Sequence, residues 1–142
     1  MESENKKTIT VENTVNAPVA RVWKLWNEPE HIQNWCHASN DWHAPYAEND
    51  LKINGTFKTT MAAKDNSFSF DFGGVYTNIK ENQLIEYTID DGRKVAIRFI
   101  DEGNQTKVIE TFEMESLHPE EMQRSGWQAI MDNFKNYAES IA

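Results

Sequence analysis

From Thr8 to Val15 apolar and polar residues alternate, with Ile9, Val11 and Val15 on one side and Thr8, Thr10, Glu12 and Thr14 on the other. A period of two with one apolar side predicts a half-buried strand. Asn16-Ala17-Pro18 ends it. Pro18 suits the first position of a helix, where its missing N–H is unpaired in any case. Val19, Val22, Trp23 and Trp26 then recur at i, i+3, i+4 and i+7, which is one face of a short amphipathic helix. Pro29 keeps Glu28 out of the α region and ends that helix, then opens a second one presenting Ile32 and Trp35. The expected shape is a V of two short helices about a proline corner.

Cys36 to Asp50 carries no clear period and reads as loop with room for one short strand. A strand meander follows. Phe57, Thr59 and Met61 alternate with Lys58, Thr60 and Ala62, and Phe68, Phe70 and Phe72 alternate with Ser69 and Asp71. Asp65-Asn66 between them is a turn signal. Gly73-Gly74 predicts a bulge or bend in a long strand that runs on to Ile79. Ile85, Tyr87 and Ile89 form one alternating run, and Val95, Ile97 and Phe99 another, with Asp91-Gly92 as a hairpin turn between them. After Glu102-Gly103-Asn104, the side holding Val108, Glu110, Phe112 and Met114 opposes Lys107, Ile109 and Thr111.

From Pro119 onward the period changes. Trp127, Ile130, Phe134, Tyr137 and Ile141 share one stripe, with Gln123 and Gly126 on the same side. This predicts an amphipathic helix of about five to six turns. Strand, two short helices, about six strands and one long helix define an α+β class, an antiparallel sheet pressed against the terminal helix. A sheet that curves around that helix leaves a gap between them.

The length of 142 residues suits one domain, with residues 1–7 as a loose tail. A net charge of −9 argues against nucleic acid and anionic membrane surfaces as partners. Aromatic residues make up 11% of the chain, which argues against disorder. One cysteine, Cys36, excludes an intrachain disulfide and fits a reducing compartment. The polar start Met-Glu-Ser-Glu-Asn-Lys-Lys leads into no signal segment, and no apolar run approaches the roughly 20 residues of a spanning helix. The expected location is the cytoplasm, without membrane insertion.

Asn16-Ala17-Pro18-Val19-Ala20-Arg21-Val22-Trp23, followed by Glu28-Pro29-Glu30-His31-Ile32-Gln33-Asn34-Trp35, resembles the opening of the SRPBCC (START-like, birch-pollen-allergen-like) superfamily. Within it the chain resembles the bacterial branch named after the activator of the ninety-kilodalton heat-shock protein ATPase. Ser39-Asn40-Asp41-Trp42-His43, Gly55-Thr56-Phe57, Gly74-Val75-Tyr76-Thr77, Thr106-Lys107-Val108 and Gly126-Trp127-Gln128-Ala129-Ile130 extend the likeness in order from about Thr8 to the end. The resemblance implies a helix-grip fold, with an apolar cavity between the sheet and the last helix and its mouth near the two short helices. It implies no one activity, because members include carriers, receptors, cyclases and chaperone activators. A chaperone partner is one option the resemblance carries. The eukaryotic activators add a separate N-terminal docking domain, for which 142 residues leave no room.

On this reading the guest is a small, mainly apolar molecule of lipid, polyketide or aromatic type. Trp42 and His43 are expected at the cavity mouth, and Trp35 either there or anchoring its helix. Phe57, Phe70, Phe72, Tyr87, Phe99 and Phe112 are candidates for the concave side of the sheet, most of them core and a few lining. Gln123, Gly126 and Trp127 are candidates on the helix. Gly126 makes room for a guest or for the sheet, and the Gln123 amide needs a partner, which is either a ligand or a neighbour such as Tyr87.

Cys36, His37, Asp41 and His43 are metal-ligating types without metal-site spacing, so no metal is assigned and no cofactor. Cys36-His37 is a poor nucleophile–base pair, since sequence neighbours rarely face each other. No catalytic residue is assigned. A cyclase or hydrolase acting in the same cavity is the alternative, with His43 or His37 as its titrating group.

Overall fold

The alternation along the chain becomes one antiparallel sheet of seven strands. The computed structural model describes residues 7–141. In chain order the elements are β1 (Thr8–Val15), α1 (Val19–Asn27), α2 (Pro29–Trp35), β2 (Trp42–Asn49), β3 (Thr56–Ala63), β4 (Ser69–Lys80), β5 (Leu84–Ile89), β6 (Lys94–Asp101), β7 (Thr106–Glu113) and α3 (Glu120–Ser140). The spatial order is β1-β7-β6-β5-β4-β3-β2. Strands β2 to β7 form a continuous meander, and β1 closes onto β7, so β1 and β2 are the two edges. The helices α1 and α2 carry the chain from one edge to the other, and α2 packs beside β2. The sheet curls around α3, which lies on its concave side against β1 and the two short helices. This is the helix-grip fold.

Local chemistry accounts for the boundaries. Pro18 stands at the N-cap of α1, one place earlier than expected, and Pro29 is the first residue of α2. Asn66, Gly92 and Gly103 take positive φ at the tight turns, where asparagine and glycine carry the least strain.

Two expectations change. Residues 36–50 contain a strand of eight residues, β2, rather than mostly loop. Pro45 lies in a register shift between His43 and Tyr46 on this edge strand, where a missing N–H costs no ladder bond. Gly73 and Gly74 sit in regular pairing within β4, and the irregularity falls between Tyr76 and Asn78. These glycines serve close approach. A Cβ at Gly74 would lie 2.3 Å from the carbonyl oxygen of Thr88.

Rings gather where α1, α2 and the C-terminal half of α3 converge. Trp23 packs edge-on to Phe99 at 5.1 Å, and Phe134 meets Trp26 at 4.8 Å and Trp35 at 5.0 Å. Trp35 Nε1 donates to the carbonyl of Leu25 at 3.0 Å, tying α2 to α1. Thr106, fully buried at the start of β7, donates its hydroxyl to the Ala17 carbonyl at 2.9 Å and seals the β1–α1 corner.

Candidate functional site

Toward the N-terminal half of α3 the packing opens. An inner hollow of about 260 Å³ lies between the sheet and the helices. Trp26, Trp35, Phe57, Phe72, Tyr87 and Trp127 supply most of its rings. Ile32, Met61, Ile85 and Ile130 supply aliphatic wall. A shallower outer hollow of about 370 Å³ lies beside it, reached from Ala38, Ser39 and His118 and bounded by Trp42, Met122, Gln123 and Gly126. Met61, Phe70, Trp127 and Ile130 border both.

The polar groups of the inner hollow fall into two sets. The first is a closed chain of hydrogen bonds. Tyr76 donates its hydroxyl to Asn49 Oδ1 at 2.5 Å, Asn49 Nδ2 donates to the Asn27 carbonyl at 2.7 Å, and Asn27 Nδ2 donates to the Trp23 carbonyl at 2.8 Å. These bonds pin the end of α1 to β2 and β4 and hold that wall in one geometry. Burial pushes the Tyr76 hydroxyl well above its ordinary value.

The second set centres on Glu110. Alternation in β7 turns Val108, Glu110 and Phe112 inward together, so a carboxyl is carried into the core at 6% exposure. It borders the inner hollow, and no hydrogen bond or ion pair joins it to any described residue. Burial pushes its pKa up to about 8, so it carries its proton at neutral pH. Cys36 and Tyr87 are its electrostatic neighbours. Cys36 is buried at the C-terminus of α2, and burial first, then Glu110, pushes its thiol up to about 12. It is therefore a poor nucleophile. Tyr87 is raised far above its ordinary value, chiefly by burial, and Arg93 opposes that rise. Arg93 stands where the hollow nears solvent, its Nε 2.9 Å from Asp91 Oδ2 and its Nη1 3.4 Å from the Glu113 carbonyl.

The structure distributes the expected ligand-binding residues unevenly. Trp35, Phe57, Phe72 and Tyr87 border the inner hollow, Trp42, Gln123 and Gly126 the outer, and Phe70 and Trp127 both. His43 and Phe99 border neither. His43 is one place out of step with Trp42 on β2, and Phe99 is consumed by contacts with Trp23 and Trp26. Gln123 finds its partners in the loop before α3. It accepts from the Glu115 N–H at 3.0 Å and donates to the carbonyls of Glu115 at 3.0 Å and His118 at 2.8 Å. A Cβ at Gly126 would meet nothing within 4 Å, so this glycine faces space rather than the sheet. His37 borders the outer hollow, and burial followed by Lys64 and His43 lowers its pKa. Its Nδ1 is buried without a partner among the described residues.

Sequence reasoning passed over Glu110, Asn27 and Asn49. The signal for Glu110 was present, since it occupies the apolar side of an alternating strand. The asparagines gave none.

A curled antiparallel sheet gripping a long C-terminal helix, with space left between them, defines the SRPBCC class, whose members commonly bind hydrophobic ligands. The family model for Activator of Hsp90 ATPase homolog 1-like proteins matches residues 16–139, and the chain belongs to this family. Solved structures agree. An AHSA1-like protein from Aeromonas hydrophila superposes with a TM-score of 0.89 at 40% identity, covering 95% of this chain and 94% of that one. A protein from Cytophaga hutchinsonii is 58% identical with a TM-score of 0.79, covering 96% and 94%. At 21% identity, a protein from Chromobacterium violaceum shares the fold with a TM-score of 0.83, covering 93% and 96%. Among curated proteins, none matches the chain. No helix among the described residues is long and apolar enough to cross a membrane.

Proposed function

We propose that the chain binds a small, mainly apolar molecule in the inner hollow. The observation that carries this reading is the hollow itself, about 260 Å³ walled by rings and aliphatic side chains around a few fixed polar groups. Ligand sites have that composition. The volume lies just under the roughly 300–1,000 Å³ of drug-sized sites, so the guest is the size of one or two fused rings rather than a long lipid. Affinity comes from apolar area removed from water, at about 25 cal/mol per Å² before the costs of association. The Tyr76–Asn49–Asn27 chain and Glu110 supply orientation.

The test is a thermal-shift screen with aromatic, polyketide-like and short-lipid compounds, repeated on Ile130→Trp, which places an indole in the wall common to both hollows. Saturable stabilisation of the parent protein is expected, and its loss in a variant that still unfolds cooperatively. A parent protein stabilised by no compound of the set overturns the reading.

A reaction in the same hollow is a second reading, favoured by one observation. Glu110 is a proton-bearing carboxyl at its wall, so it replaces His43 and His37 as the acid–base group such a reaction would use. Turnover lost in Glu110→Gln while guest binding survives is the expected signature.

A further inference from the structure

A carboxyl 94% withdrawn from water normally has an internal partner, because burying a charge or an unsatisfied polar group is costly. Glu110 has none among the described residues, and it faces open space rather than packed side chains. The ligand that repays its burial is therefore sought outside the chain.

The chemistry around it narrows the class. Trp26 of α1, Trp35 of α2, Phe57 of β3, Phe72 of β4, Tyr87 of β5 and Trp127 of α3 surround the same space. Ring faces attract cations, most strongly when water is excluded. Arg93 is the cationic member of the wall, and its guanidinium is already directed to Asp91 and the Glu113 carbonyl. The other acidic wall residue, Glu48, accepts from the Tyr46 hydroxyl. The chain as a whole carries −9, which raises the local concentration of cations. A neutral guest with a carbonyl or hydroxyl group would take one hydrogen bond from the Glu110 O–H and give the carboxyl no counter-charge. An ammonium answers the charge, donates up to three hydrogen bonds and suits the rings.

We propose that the guest of the inner hollow is a protonated amine on a small aromatic or aliphatic body, its nitrogen paired with the Glu110 carboxylate. The inference rests on the binding reading above and names the chemical class it left open. The ammonium enters intact, Glu110 gives its proton to solvent, and the pair is formed within the hollow. The titratable groups facing Glu110 are Cys36 at the end of α2, Tyr87 of β5 and Tyr76 of β4, with Glu48 of β2 and Arg93 of the β5–β6 turn at the margin. Cys36, Tyr76 and Tyr87 all stay protonated at neutral pH, and α3 contributes Trp127 and Ile130, which do not titrate. The proton released on binding is therefore that of Glu110.

A matched triplet and a matched pair test this: 2-phenylethylamine, 2-phenylethanol and phenylacetone, and tryptamine beside indole-3-ethanol. Calorimetry at pH 7 in two buffers of different ionisation enthalpy reads affinity and proton release together. At least tenfold tighter binding of each amine than of its neutral counterparts is expected, with net proton release. Glu110→Gln keeps the shape and hydrogen-bonding capacity but not the charge. In it, the preference for amines and the proton release are expected to vanish while weak neutral binding remains. Neutral compounds binding as tightly as amines, an amine preference retained in Glu110→Gln, or no binding by any amine overturns the proposal. In the last case, a neutral guest from the thermal-shift set leaves the binding reading standing, and failure of that whole set removes both.

Discussion

The two halves of α3 have the same amphipathic period and opposite surroundings. In the C-terminal half, Met131, Phe134 and Ala138 have no exposure at all, and rings from α1 and α2 close over Phe134. In the N-terminal half, Gln123, Gly126, Trp127 and Ile130 border hollows. The V of short helices packs its rings on Phe134 at one end of the grip, while Trp26 and Trp35 also turn toward the open space at the other. The difference shows that an apolar stripe specifies which face turns inward and leaves undecided whether that face meets atoms or space.

The sharpest way to break this comparison is to remove one ring from each half. Phe134→Ala deletes a fully buried ring packed on two tryptophans and is expected to cost about 3–5 kcal/mol in urea unfolding. Phe72→Ala removes a half-buried ring beside existing space and is expected to cost less than half as much. Equal losses would mean that the two halves are packed alike.

The next effect is a pH dependence confined to the open half. Glu110 holds its proton to about pH 8 when folded, against 4.5 as its ordinary value. The folded state therefore binds the proton more tightly, and its advantage is complete below pH 4.5 and fades as pH rises to about 8. The loss across that window is on the order of 5 kcal/mol at most. Thermal melts of Glu110→Gln should lack this slope, so the variant gains on the parent protein as pH rises. A constant difference between the two from pH 5 to 8 would show that Glu110 is not desolvated.

The smallest effect has the opposite sign. Gly126→Ala places a methyl group in open space within a helix and is expected to stabilise by about 0.5–1 kcal/mol. A loss of stability would show that the outer hollow is occupied at that point.

Much of the framework was legible along the chain. The alternation in β1, β6 and β7, the proline corner and the stripe of α3 each follow from a local period, and together they indicate the grip. β2 was obscured because it lies at an edge, carries Pro45 and buries only Ala44 and Ala47, three residues apart, so it has no clean alternation. The site was read less well. Attention to histidine led to His43, which borders neither hollow, whereas Cys36, read as a poor nucleophile, is held by burial in its unreactive thiol form. Glu110 was overlooked although it shares the apolar side of β7 with Val108 and Phe112, because alternation tells which way a side chain turns and not whether it meets atoms or space.

The sequence by itself determined which residues pair with the inside of the fold, since side-chain direction repeats with backbone geometry and needs no distant partner. Which inward residues would touch each other was decided by the curl of the sheet and the crossing of α1 and α2. Packing depends on surfaces brought together from positions far apart in the chain. The same inward turn therefore buried Phe134 against tryptophans and left Glu110 facing a cavity.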